Sequence, residues 1–211
     1  MVAKITSKII LEPLKQNLYS TIDAKQAGFR PGSCCTDHIN TMPISIKQCV
    51  AHRSDLSMVF IDFEKAFDSI HRGSIWTALR NRALPEKIIC IIRAIYVAAK
   101  CVILYTNNLS EPFEVRSGYI LPPVLFLIVL ADVLREAFKL HQASGIRWTM
   151  TNFLQHLGYA DLIRLFAHKI PELSAMVKSL EVVWASASRK TKTLCWTRKD
   201  WSSRQIHVSW Q

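Results

Sequence analysis

Apolar residues at helical spacing (Ile5, Ile9 and Ile10), interrupted by Pro13, predict a helix across 1–19. Gly28-Phe29-Arg30-Pro31-Gly32 then breaks the pattern and predicts a loop. After it, Thr36 or Ser33 is placed to cap a helix carrying Ile39, Met42, Ile46 and Val50 on one face, with a kink expected at Pro43. Residues 56–63 contain the run Met58-Val59-Phe60-Ile61, which ends at Asp62 and reads as a buried strand. Residues 74–99 predict two helices broken at Leu84-Pro85. The segments 101–105 and 113–116, on either side of Asn107-Asn108, predict a β-hairpin. Pro123 suits the first turn of a helix reaching about Phe138. Strands are expected at 145–148 and 153–165, with a tight turn at Tyr159-Ala160-Asp161, followed by a helix over 171–185. From Arg189 onward the chain is rich in Trp and Arg with little periodicity. This mixed order predicts an α+β fold whose sheet is covered by helices on one face.

Composition narrows the class. The 211 residues are 50% hydrophobic and 20% charged, which fits a globular domain and argues against disorder. The formal charge of +11 favours a polyanionic partner, because Lys and Arg that neutralise phosphates release counterions. The six cysteines, with Cys34 and Cys35 adjacent and Cys49, Cys90, Cys101 and Cys195 scattered, form no disulfide framework. Residues 1–15 lack a charged-then-apolar leader, so an intracellular, reducing setting is expected. The most apolar stretch, 120–133, carries Pro122, Pro123 and Asp132 and is too short to cross a bilayer; it reads as a buried helix.

Two carboxylates stand where apolar strands end: Asp62, and Asp161 in the turn after Tyr159-Ala160. Hard divalent cations take carboxylate oxygens, and paired ions clamp the attacking and leaving oxygens of a phosphoryl transfer. Strand-end aspartates this far apart in sequence can meet at one edge of a sheet. A second arrangement, Cys35 and His38 with Cys49 and His52, has a Cys-x-x-His rhythm suggestive of zinc. On a continuous helix the two pairs lie about 16 Å apart, too far to share one ion.

The words around the aspartates are specific. Gln26-Ala27-Gly28-Phe29-Arg30-Pro31-Gly32-Ser33 and Phe60-Ile61-Asp62-Phe63-Glu64-Lys65-Ala66-Phe67-Asp68-Ser69-Ile70-His71 resemble the reverse transcriptases of non-LTR (LINE-type) retrotransposons. In the same order, Phe113-Glu114-Val115-Arg116-Ser117-Gly118, Leu125-Phe126, Gly145-Ile146-Arg147-Trp148 and Tyr159-Ala160-Asp161 resemble later motifs of that family. The resemblance implies a right-hand polymerase fragment with fingers and palm, in which an antiparallel palm sheet is backed by helices. It divides the chain into a fingers-like segment at 1–55, a palm at 56–185 with a helical insertion at about 74–99, and a basic tail at 186–211. It implies RNA-directed DNA synthesis by two-metal nucleotidyl transfer, with Mg²⁺ or Mn²⁺, an RNA template, a DNA primer and dNTPs.

Carried over by position, the resemblance makes Asp62 and Asp161 the catalytic metal ligands, helped by the backbone carbonyl of Phe63. It makes Phe67 the aromatic beneath the incoming sugar, and assigns Arg30, Ser117, Gly118 and Lys190 to nucleotide binding; Lys190-Thr191 resembles a pair in the late palm. Without it, Phe67 suits ordinary core, Asp68 an N-cap or turn, Arg30 a solvated loop charge, and Lys190 a phosphate contact.

The departures fall on the working parts. The family's turn carries a second aspartate where this chain has Leu162. An Arg-Gln-Gly segment expected after Ser117-Gly118 is missing, with Tyr119-Ile120-Leu121-Pro122-Pro123 following directly, and a further short segment is lost around 186–190. Metal stabilisation of transition-state charge is worth several kcal/mol, and each ~1.4 kcal/mol is tenfold in rate. The expectation is a retained fold that polymerises poorly or not at all. The reading from another class is a nucleic-acid-binding remnant without turnover.

Overall fold

The computed structural model describes residue 12 and residues 19–30, 32–63, 66–97, 100–106, 108–114, 123–141, 144–149, 152–188, 193–198 and 205–209. The helix expected over 1–19, the motif residues Ser117 and Gly118, and Lys190 with Thr191 lie outside the described residues, apart from residues 12 and 19.

Helix α1 (Cys35–Ala51) is capped by Cys34 rather than by Ser33 or Thr36. The Cys34 thiol accepts the Thr36 N–H at 3.2 Å, and the Asp37 carboxylate accepts the Cys34 N–H at 3.1 Å, a reciprocal arrangement that satisfies two orphan donors of the first turn. The helix runs through Pro43 to Ala51, so the two Cys/His pairs stay well apart along it. No group of three or more His, Cys, Asp or Glu that could hold an ion occurs among the described residues. The zinc arrangement is thereby set aside.

Strand β1 (Ser57–Phe63) follows, then a single helical turn α2 (Ala66–Ser69), α3 (Arg72–Arg80) and α4 (Glu86–Val97), broken at Leu84-Pro85 as the sequence predicts. Asp68 falls inside α2, and the N-cap position of α3 is His71. The expected hairpin is present as two short ladders: β2 (Lys100–Cys101) pairs with β5 (Phe113–Glu114), and β3 (Leu104–Tyr105) with β4 (Asn108–Leu109). After α5 (Pro123–Ala137), the ribbon β6 (Ile146–Arg147) and β7 (Phe153–Leu154) leads into β8 (His156–Tyr159) and β9 (Leu162–Ala167). Helix α6 spans Ile170–Ala187. The tail corrects a prediction: β10 (Thr193–Arg198) and β11 (Gln205–Ser209) are strands where little periodicity was legible. Pairing with β1, and not an alternating pattern, holds β10 in the sheet.

The main sheet is antiparallel, in the order β11-β10-β1-β9-β8. Alternation sorts its residues by face. Val59, Ile61 and Phe63 with Ile163, Leu165 and Ala167 join the large core formed with α3, α5 and α6. Helix α5 is buried at every position from Val124 to Leu130, as a helix apolar all round must be. The opposite face is not bare, as one-sided covering would predict. Met58, Leu157 and Phe166 pack there with Cys49 of α1 and with Ile146 and Leu154 of the ribbon, forming a second, smaller core. No helix among the described residues is long and apolar enough to cross a membrane.

Candidate functional site

Asp62 is the sixth residue of β1, on the face opposite the large core, and it is exposed. Its cross-strand partner in β9 is Leu162, which is paired on its other side with Tyr159 of β8. Asp161 immediately precedes Leu162 in the two-residue connection between β8 and β9. The register therefore brings the two predicted aspartates to one edge of the sheet although 98 positions of sequence separate them. Directly opposite residues have Cβ atoms about 5 Å apart. Leu162 of β9 is thus one of two residues directly opposite Asp62, the other being Leu194 of β10. Among the described residues neither carboxylate has a hydrogen bond or an ion pair. Two carboxylates suit a hard divalent ion, and the residues present fit such a group.

Aromatic rings pack beneath this edge. The Phe63 ring stacks on Trp184 of α6, with centroids 4.1 Å apart and planes inclined by 29°. Phe67 is half-buried, lies 4.6 Å from the Phe126 ring and meets Phe29 edge-on at 6.0 Å. Phe29 itself is 48% exposed and has φ 56°, a left-handed conformation that turns its ring towards Phe67. Arg164 of β9 lies on the Asp62 face, its guanidinium 5.6 Å from the Phe60 ring centroid. Its Nε and Nη1 are buried without partners among the described residues, and burial lowers its pKa.

Arg30 is placed differently from a free loop charge: its Nη1 donates to the Asp23 carbonyl at 3.0 Å and braces its own loop. Four side chains with clear structural roles were not singled out from the sequence. Phe29 extends the aromatic row, and Trp184 supports Phe63. Gln26, 3% exposed, donates from Nε2 to the Ala160 carbonyl at 3.1 Å. Arg82, its side chain 4% exposed, donates to Thr21 Oγ1, Asp132 and the carbonyls of Ala78 and Ile128. The legible signal for Gln26 was its place beside Gly28 in a motif; Arg82 had none, because its partners lie up to 61 positions away.

The chain is similar to known proteins over most of its length. The Pol polyprotein of the type-2 retrotransposable element R2DM of Drosophila melanogaster is 27% identical over 181 residues, covering 83% of this chain and 17% of that protein. The Pol polyprotein of the type-1 retrotransposable element R2 of Nasonia vitripennis is 29% identical over 167 residues, covering 77% of this chain and 16% of its own length. The chain thus spans about a sixth of these relatives. In fold it is similar to apo telomerase from Candida tropicalis truncated from its C-terminal domain, with a TM-score of 0.63 at 14% identity, covering 94% of this chain and 43% of that one. The family described as reverse transcriptase (RNA-dependent DNA polymerase) matches residues 1–193, and the chain belongs to that family.

Proposed function

We propose that the edge formed by Asp62 and Asp161 is the divalent-metal site of a reverse transcriptase palm, working with an RNA template, a DNA primer and dNTPs. The observation that carries this reading is the β1–β9 register, which sets Asp62 beside the Asp161–Leu162 step. Mg²⁺ or Mn²⁺ bound there would supply Lewis-acid stabilisation of charge on the transferring phosphoryl group. This chain's own side chains bind and orient: Asp62 and Asp161 hold the ion with help from the Phe63 carbonyl, and Phe67, backed by Phe126, offers a fixed ring beneath the incoming sugar. Arg30, Ser117, Gly118 and Lys190 complete the nucleotide contacts in this reading. Residues 1–55 act as fingers, 56–185 as palm, and 186–211 as a basic tail that is a remnant of the late palm or thumb.

The same register supports a second element of the proposal, that turnover is impaired. Leucine supplies no ligand at the β9 position opposite Asp62, where the family's turn carries a second aspartate. Nucleotide incorporation on an RNA template with a DNA primer, in Mg²⁺ and in Mn²⁺, tests both parts. The expected result is little or no incorporation by the unaltered chain, a gain of at least about tenfold in Leu162→Asp, and loss of that gain when Asp62→Ala is added. Robust incorporation by the unaltered chain would overturn the impairment. Retention of activity in Asp62→Ala would overturn the site.

A further inference from the structure

Asp161 stands on a connection that is not held by its own chemistry. Tyr159 pairs with Leu162, so only Ala160 and Asp161 make the turn, and Ala160 has φ 55°, a conformation that favours glycine. The turn also lies at the end of β8, the outermost strand of the sheet. The outer side of β8 is held by residues 25–28. Gly158 donates to the Lys25 carbonyl and accepts from the Ala27 N–H, both at 2.9 Å, a one-residue parallel bridge. Past this bridge the Gln26 side chain reaches the tip: Nε2 donates to the Ala160 carbonyl at 3.1 Å, while Oε1 accepts the Gly28 N–H at 3.2 Å. Both ends of the amide are used, so its orientation is fixed. The approach is close enough to demand glycine at position 28, where an added Cβ would meet backbone. A Cβ on Gly28 would lie 2.0 Å from the Ala160 nitrogen, and one on Gly158 would lie 2.9 Å from Gln26 Nε2.

We propose that Gln26 is the positioning residue for Asp161: its amide clamps the Ala160 carbonyl and sets the carboxylate at its distance from Asp62. The importance of that distance rests on the metal reading above. The clamp is itself anchored, because Arg82 Nε holds Thr21 at 2.7 Å and Arg30 holds the Asp23 carbonyl at 3.0 Å, so the loop from Thr21 to Gly28 cannot slide freely past the hairpin.

Two near-isosteric variants of the full chain separate the clamp from simple packing. Gln26→Glu keeps an acceptor for Gly28 but sets an oxygen against the Ala160 carbonyl; Gln26→Met keeps the bulk and removes both hydrogen bonds. Amide hydrogen exchange and Mn²⁺ titration are the readouts. The clamp predicts about tenfold faster exchange across 158–162 in Gln26→Glu, a smaller change in Gln26→Met, unchanged exchange in β1, and Mn²⁺ binding weakened several-fold. Unchanged exchange at 158–162, or an equal acceleration in β1, would overturn it. If the unaltered chain takes up no Mn²⁺, the metal reading fails, and the exchange data alone still decide whether Gln26 holds the turn.

Discussion

Single side chains in this protein carry energetic weight out of proportion to their visibility in the sequence. Arg82 spends its guanidinium donors on Thr21, Asp132 and two carbonyls while its side chain is 4% exposed. Removing a buried, hydrogen-bonded charge strands its partners, and Arg82→Ala is expected to cost about 3 kcal/mol or more in urea unfolding, whereas Arg80→Ala, at an exposed pair with Glu86, should cost under about 1 kcal/mol. His156 supplies a pH dependence. Burial pushes its imidazole down to about 4 against a weaker opposing pull from Asp23, whose Oδ2 lies 3.6 Å away. The unfolded chain binds a proton here below about pH 6.5 while the native state stays neutral. Stability is therefore flat above pH 6.5 and falls as the pH drops towards 4, by up to about 3 kcal/mol. Urea midpoints of His156→Gln across that range should lack much of this slope.

Elements are joined where small residues permit it. The loop carrying Gln26-Ala27-Gly28 lies against the β8–β9 hairpin because Gly28 and Gly158 offer no Cβ. Gly28→Ala must shift the Ala160 backbone, and a loss of about 2 kcal/mol or more is expected from thermal or urea unfolding. Gly73→Ala, where an added Cβ meets nothing within 4 Å, is the control and should be neutral or slightly stabilising. At this scale much was legible: β1, α3, α4, α5, the 159–161 turn and α6 fall close to where periodicity and proline placed them. The cap of α1 was missed by one residue, because a cysteine thiol is a rare substitute for the hydroxyls that usually fill that role. Strand β10 was missed because its place depends on hydrogen bonds to β1 and not on a pattern of its own.

For the whole molecule, the +11 charge predicts association with nucleic acid independent of turnover. Affinity for an RNA–DNA hybrid should fall linearly with log salt concentration and persist in EDTA, as measured by fluorescence anisotropy. Salt-independent affinity would contradict a phosphate-directed contact. Asp62→Ala should leave this binding intact while removing any metal-dependent enhancement, which separates holding the duplex from engaging the ion.

The sequence by itself determined the family, through local words such as Phe60-Ile61-Asp62-Phe63 and Tyr159-Ala160-Asp161, and it determined the elements, through local spacing of apolar residues. It also exposed the departure at Leu162, since that is a matter of which residue follows Asp161. Only the tertiary structure decided what that departure means in space. Register is a relation between strands far apart in the chain, and it sets Leu162 directly opposite Asp62 on the β9 side. The same holds for Gln26 against Ala160 and for Arg82 against Thr21 and Asp132: each contact joins segments that approach only when the cores on the two faces of the sheet have closed.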